Sequence, residues 1–274
     1  MRTRPTERPG GARTERRRRR PGGNHELLYG RNAVRESLLA NRRQHQRLLI
    51  SDGTEQHARV HEIVQIAIER GIEVKRTLRN DLDAMVSGNH QGIVLLTSAY
   101  PYAEALNLAE LASDRCALLA LDGIADPQNV GTLLRTAEIT GIGGVVIPTD
   151  RAASITPAVV NASAGAVEHL NVVQEVNLTR WLIRAKDAGF WVVGLAGDDD
   201  ASSLFEVSMQ PPVVIVIGSE GAGLRRLVRE TCDIVAAIPM AGKIASLNAA
   251  VAGSIALYEV FRDRDNESDD AVVT

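Results

Sequence analysis

Apolar positions recur at helical spacing from about Gly30 to Asn41, where Val34, Leu38 and Leu39 share a face, and the short apolar run Leu48 to Ile50 follows as a strand. Residues 57 to 70 repeat the helical period through Val60, Ile63, Val64 and Ile66, and Gly71 stops that helix. Ile72 to Val74 and Gly92 to Thr97 read as further strands, which makes residues 25 to 100 a small α/β unit ending near Pro101. Residues 101 to 115 connect it to a second unit of different texture. From Ala117 the pattern alternates buried-strand runs with helices, as parallel sheets with crossover connections do. The strands are Ala117 to Leu121, Gly144 to Ile147, Phe190 to Leu195, Val213 to Ile217 and Ile234 to Ile238. The intervening helices lie near Val130 to Thr140, Pro157 to Ala164, Leu178 to Ala188 and Leu224 to Thr231, and a last helix from Leu247 to Arg262 closes the unit at residues 116 to 262. No internal repeat is visible.

Composition supports this α/β reading. Aromatics are only 3% of the 274 residues, so a core must be built from Val, Ile, Leu and Ala, the residues of sheets buried on both faces. The net charge of -3 conceals an asymmetry. Residues 1 to 24 hold nine Arg and two Glu, including the run Arg16 to Arg20, whereas residues 263 to 274 are an acidic tail. The arm has almost nothing apolar to bury and is expected to be disordered, either attracting phosphate nonspecifically or serving only as a solvated tail. With the arm at +7, the remainder sums to -10, so any nucleic-acid surface on the folded body has to be a local patch.

Two cysteines without a CxxC pair, Cys116 and Cys232, indicate neither a disulfide framework nor a zinc site, and suggest a reducing, cytoplasmic setting. No apolar run approaches the roughly 20 residues that span a bilayer, and no secretory h-region follows the Arg-rich start. His57 and His61 stand one helical turn apart without a third ligand, and Asp198 to Asp200 lack an EF-hand pattern, so no metal is expected. Trp181 and Trp191 read as core side chains.

Three polar or glycine-bearing turns follow apolar strands directly, and in open parallel sheets ligands gather beyond the carboxyl ends of strands. The first runs from Asp122 to Gly131 and leads into a helix carrying Arg135. Either Asp126 ahead of Pro127 or Asn129 is an ordinary N-cap there. The second is Gly218-Ser219-Glu220-Gly221-Ala222-Gly223, whose glycines permit positive φ and close approach of a ligand to backbone amides. A bare tight turn is the alternative, and neither the spacing nor Glu220 suits a dinucleotide pyrophosphate. The third runs from Ile238 to Asn248, with Ser246 as an ordinary N-cap candidate. Asn248 would then sit inside the helix, where propensity does not favour it, and needs a partner.

Taken together, Asn129-x-Gly131-x-x-x-Arg135, Gly218-x-Glu220-Gly221, and Ile238-Pro239-Met240 through Ser246-Leu247-Asn248 resemble the three motifs of the SpoU/TrmH family of RNA 2′-O-methyltransferases, in order and in spacing. The likeness is strong over residues 117 to 262. Tyr29-Gly30-Arg31-Asn32-Ala33-Val34 and His90-Gln91-Gly92 resemble the ribosomal-protein-like substrate-binding domain of many members, and the nearest likeness within the family is to enzymes that methylate a guanosine of bacterial 23S ribosomal RNA. Ala249-Ala250 and Lys243 depart from the family's usual Val-Ser and small loop residue.

The resemblance implies a homodimer with a parallel sheet, a deep trefoil knot, and S-adenosylmethionine bound in a bent conformation. Gly218, Ile238 and Leu247 would line the adenosine slot, with Leu195 and Gly197 nearby. Asn129, Arg135, Glu220, Ser246 and Asn248 form the matching catalytic set. An arginine with a pKa above about 12 is a reluctant base, so Arg135 is better suited to binding a phosphate beside the target ribose. Glu220 would pair with Arg135 or orient Asn129, and Ser246 and Asn248 would hold the ribose. Transfer RNA is the alternative substrate, and a noncatalytic RNA-binding or ribosome-assembly protein is the alternative class. A nucleotide-binding oxidoreductase would need a GxGxxG turn that Asp122 to Asp126 does not supply.

Overall fold

A computed structural model of the protein describes residues 25–197, 201–243 and 246–270. The expectations placed on the Arg-rich arm, on the triplet Asp198 to Asp200 and on the last residues of the acidic tail lie outside the described residues.

The described N-terminal elements are β1 (His25–Tyr29), α1 (Arg31–Ala40), β2 (His45–Ser51), α2 (Ala58–Glu69), β3 (Glu73–Thr77), α3 (Arg79–Met85) and β4 (Ile93–Ser98). Their sheet has the order β1-β4-β2-β3, antiparallel except for the β2–β3 pair. Leu28, Leu48, Ile50 and Leu95 meet Val34, Leu38, Val60 and Ile63 of α1 and α2 on one face, while Leu49 and Val94 meet Leu82 of α3 on the other. The helical and strand periods predicted for this unit are present, but β1 and α3 were not predicted. β1 is five residues long and only one of them, Leu28, is buried, too little alternation to register in the pattern.

After α4 (Leu108–Ser113) come β5 (Ala117–Asp122), α5 (Pro127–Ile139), β6 (Gly144–Pro148), α6 (Pro157–Ala162), β7 (Val172–Glu175), α7 (Leu178–Asp187), β8 (Trp191–Leu195), β9 (Ser202–Ser203), β10 (Val213–Gly218), α8 (Arg226–Thr231), β11 (Ile234–Ala237) and α9 (Ala249–Asp270). Among the described residues the strands form one seven-stranded parallel sheet, ordered β7-β6-β5-β10-β8-β11-β9. Successive side chains leave a strand on opposite faces. Leu119, Leu121, Ile215 and Ile217 therefore pack on α5, α6 and α9, and Leu118, Ala120, Val214 and Val216 pack on α4, α7 and α8. That double burial explains why these strands read as continuous apolar runs.

Several sequence expectations need correction. Trp181 is core, but Trp191 is 53% exposed because it opens β8 at the rim of the sheet rather than within it. α8 starts at Arg226 instead of Leu224, and α9 starts at Ala249 instead of Leu247 and runs on to Asp270. The four-residue β7 and the short α4 were missed.

The connecting segment is packed rather than loose. Ala103 bridges to Val173 at the edge of the large sheet, and Leu106 lies over Gly144, where an added Cβ would come within 2.7 Å of its Cδ1. Across the junction the Asn161 Nδ2 amide donates to the Tyr29 carbonyl at 2.9 Å, and the Tyr100 hydroxyl donates to the Leu170 carbonyl at 2.8 Å. Arg42 also reaches the Leu170 carbonyl. Burial pushes the Tyr100 hydroxyl up to about 12.

The centre of the junction is a buried ion pair. Arg43 Nε donates to both Glu168 oxygens at 2.9 and 3.0 Å, and neither side chain is exposed to solvent. Nη2 also lies 2.8 Å from Oε1, but too poorly aligned for a hydrogen bond. Arg43 Nη1 reaches Glu26 at 2.8 Å and the Ser98 carbonyl at 3.0 Å. Burial pushes the Glu168 carboxyl up; it would lower Arg43, which the hydrogen bonds and charges of Glu168 and Glu26 hold above its ordinary value. Because a guanidinium does not give up its proton in a protein, the pair is charged and the Arg43 direction governs.

Candidate functional site

The parallel sheet presents the carboxyl ends of β5, β8, β10 and β11 at one edge. At the end of β5, Gly123 turns the chain with φ +77° and Asp126 caps α5 by accepting from the Gln128 amide at 3.2 Å, with Pro127 in the first turn. Asp126 and Pro127 thus supply the helix start, and Asn129 is not a cap. It is 7% exposed and free to use its side chain elsewhere. Gly131, two residues further on, is where α5 meets α6: a Cβ there would stand 2.4 Å from the Ala162 Cβ.

At the end of β10 the chain folds back on itself. Ser219 and Gly223 exchange backbone hydrogen bonds at 3.1 and 2.9 Å, and Gly221 and Gly223 take φ of +76° and +63°. Gly218 is required for a different reason: an added Cβ would meet the Gly223 carbonyl carbon at 2.3 Å and the Leu224 amide nitrogen at 2.5 Å. The tip of this loop carries Glu220.

The third turn ends at Asn248, which is the N-terminal cap of α9. Its Oδ1 accepts from the amides of Ala250 and Val251 at 2.9 and 3.2 Å. Ser246 is exposed and precedes the helix by three residues, so the predicted cap shifts from Ser246 to Asn248.

The three turns meet through these side chains. Asn129 Nδ2 donates to Glu220 Oε1 at 2.9 Å, Asn248 Nδ2 donates to the same oxygen at 2.5 Å, and Asn248 Nδ2 also donates to Asn129 Oδ1 at 2.9 Å. A carboxylate accepting two amide N–H groups is fixed in orientation, and the amides are fixed in flip state by the same bonds. Beside the cluster lies a cavity of about 780 Å³ lined by Leu195, Gly197, Gly218, Ile238, Leu247 and Met240, with Glu220, Ser246 and Asn248 at its wall. Its size falls within the range of small-molecule sites, roughly 300–1,000 Å³, and its mixture of apolar side chains with a few polar groups is typical of them. Gly218, Ile238 and Leu247, expected in the adenosine slot, and Leu195 and Gly197, expected nearby, all line this cavity.

Arg135 is placed apart. Glu220 pairs with the two asparagines rather than with Arg135, which corrects one of the two pairings expected for it. Six residues wind an α-helix by about 600°, so Arg135 stands about 120° around α5 from Asn129 and about 9 Å along it. It is exposed and does not line the cavity. Asp122, buried at the end of β5 and bonded to Arg225, was not singled out in sequence, since an Asp after an apolar run looks like the start of any turn. Among the described residues no cluster of three or more His, Cys, Asp or Glu side chains could hold a metal ion, and no helix is long and apolar enough to cross a membrane. His57 caps α2, accepting from the Arg59 amide at 3.2 Å.

Residues 117–258 match the family model of the SpoU rRNA methylases, and residues 27–103 match that of the RNA 2′-O ribose methyltransferase substrate-binding domain. A Bacillus subtilis (strain 168) protein described as a TrmH family tRNA/rRNA methyltransferase, YacO, is 41% identical over 245 residues, covering 88% of this chain and 97% of that protein. A Staphylococcus aureus (strain COL) protein of like description is 38% identical over 241 residues, covering 87% and 96%. Among solved structures, the SpoU methyltransferase AviRb from Streptomyces viridochromogenes, in complex with the cofactor AdoMet, aligns with a TM-score of 0.72 at 24% identity over 89% of this chain and 92% of its own. A TrmH-family protein from Porphyromonas gingivalis aligns with a TM-score of 0.68 at 26% identity over 87% and 90%.

Proposed function

The chain belongs to the SpoU rRNA methylase family, and from that premise we propose that it transfers a methyl group from S-adenosylmethionine to the 2′-hydroxyl of a ribose in structured RNA, a guanosine of 23S ribosomal RNA. The observation that carries this reading is the convergence of Asn129 with Glu220 and Asn248, the last two at the wall of the cavity beyond β8, β10 and β11.

The cavity fits S-adenosylmethionine by its donor set. Leu195, Ile238 and Leu247 offer an apolar slot for a flat base, and the turn at Gly218 to Gly223 brings backbone close to a ligand without side chains in the way. When bound, that cofactor supplies a methyl group already activated by its sulfonium. The chain's own residues then have two tasks, aligning the ribose hydroxyl and easing the loss of its proton. Ser246 and Asn248 hold the ribose. Glu220, fixed by two amides, keeps Asn129 and Asn248 oriented, and Arg135 binds a phosphate next to the target and stabilises alkoxide character by its charge.

Arg135 stands outside the cavity, and the two helices here carry exposed apolar side chains: Ile139 on α5, and Val251 and Tyr258 at i, i+7 on α9, which packs on α5 through the Thr136–Ser254 hydrogen bond of 2.9 Å. This surface supports a homodimer. The family's trefoil knot and a cytoplasmic location complete the reading.

The test is transfer of labelled methyl to purified 23S ribosomal RNA, 16S ribosomal RNA and transfer RNA by the wild type and by Arg135→Ala. Label at one 2′-O position of 23S RNA, lost in the variant, supports the proposal. Label only in transfer RNA would move the substrate, and failure to bind S-adenosylmethionine would sink the reading.

A further inference from the structure

We propose that Asp122 is a positioning residue, a buried clamp that sets the Gly218–Leu224 loop and through it Glu220. The inference rests on the reading of the cavity as the cofactor site. Asp122 ends β5 and is 0% exposed. Both of its carboxylate oxygens go to a single residue beyond the loop: Oδ2 accepts from the Arg225 amide at 2.7 Å and Oδ1 from the Arg225 Nε at 2.5 Å. Gly218, the residue that enters the loop, is the register partner of Asp122 in the parallel β5–β10 ladder. Asp122 therefore grips both ends of the loop, the entry through the sheet and the exit through its side chain.

What lies between those ends is a closed turn. The Ser219–Gly223 hydrogen bonds fix its width, and the absence of a side chain at Gly218 lets Gly223 and Leu224 fold over it. Glu220 has no latitude of its own; where it stands depends on where the turn is anchored. A burial cost for the Asp122 carboxylate is offset only if charged donors reach it, and the Arg225 guanidinium does so while remaining 48% exposed. The short strand-to-strand path from Asp122 to Gly218 and the longer one through Arg225 together hold the cavity wall and the acceptor of Asn129 and Asn248 in one frame.

A hydrogen bond to an ionised group shifts an equilibrium by roughly tenfold to a hundredfold. In Asp122→Asn one of the two Arg225 donors faces an amide N–H instead of an acceptor. Measured on the full-length protein by amide hydrogen exchange and by titration calorimetry with S-adenosylmethionine, that variant should speed exchange at Ser219, Gly223 and Arg225 about tenfold or more while β5 and β10 keep their protection. It should raise the cofactor Kd and KM about tenfold or more, with a smaller change in the KM for RNA. Arg225→Ala keeps the backbone bond to Oδ2 but leaves the buried carboxylate without its charged donor, and should shift both readouts in the same direction by at least as much.

Unchanged exchange in the loop overturns the clamp, and faster exchange with an unchanged Kd overturns its role in positioning. If Asp122→Asn does not fold, Arg225→Ala and Arg225→Gln decide, and wild-type behaviour of both counts against the proposal. Wild-type protein that binds no S-adenosylmethionine overturns the cofactor reading and the positioning role that rests on it, while exchange still reports separately whether Asp122 holds the loop.

Discussion

Substituting Glu168→Leu should remove a large share of this protein's stability, because it strips the Arg43 guanidinium of its principal counter-charge without giving that charge any route to water. The Arg43 and Glu168 side chains are both 0% exposed, and three contacts between them lie at 2.8 to 3.0 Å. Glu26 and the Ser98 carbonyl remain as acceptors for Nη1 only. Breaking one side of a buried pair costs about 3–5 kcal/mol, since the charge left behind is uncompensated. For a chain of this size that corresponds to a fall in Tm of roughly 6–20 °C. The double variant Arg43→Met, Glu168→Leu removes both desolvation penalties and should recover most of the loss. Calorimetric unfolding of the wild type, the two single variants and the double variant closes the cycle. A Glu168→Leu protein within about 1 kcal/mol of the wild type would refute the reasoning, as would a double variant no more stable than the single.

Gly218→Ala places a Cβ 2.3–2.5 Å from the backbone of Gly223 and Leu224, so the turn cannot close; binding of S-adenosylmethionine should be lost in calorimetry while the far-ultraviolet dichroism of the sheet persists. Asn248→Ala removes the α9 cap and the amide that donates to both Asn129 and Glu220, and should cost about 1 kcal/mol in urea unfolding together with a fall of at least about tenfold in methyl transfer. Burial, reinforced by the nearby Arg70 and Arg43 charges, lowers the His45 imidazole to about 4 from its ordinary 6.5. The folded state therefore keeps His45 neutral. Its contribution is full above pH 6.5 and is lost as the pH falls toward 4; His45→Gln should flatten the fall in unfolding free energy across that window, by about 1 kcal/mol at pH 5 after discounting for partial exposure, as urea unfolding at each pH would show.

The core strands were legible in the sequence because a strand buried on both faces leaves an unbroken run such as Val213 to Ile217, and the helices packed on it leave a 3.6-residue period. The three turns were legible as glycine- and asparagine-bearing segments after those runs, and their order and spacing were enough to suggest the family. Edges were not legible: β1, β7 and α4 bury too few residues to leave a pattern, and Trp191 looks like core from its neighbours although it stands at the rim.

The local chemistry of the turns was also ambiguous one at a time. Ser246 and Asn129 were each as good a cap as the residues that do the capping, because a cap is defined by where the helix starts and packing decides that. Glu220 had two plausible partners until the fold brought Asn129 and Asn248, 91 and 28 residues away in sequence, to the same oxygen. Sequence determined which residues this protein has available for chemistry, since residue type and spacing are local properties. Only the tertiary structure decided which of them touch, how Arg43 and Glu168 join the two units across 125 residues, and that Asp122 faces inward onto Arg225, because contacts between distant segments are set by the packing of the sheet and its helices as a whole.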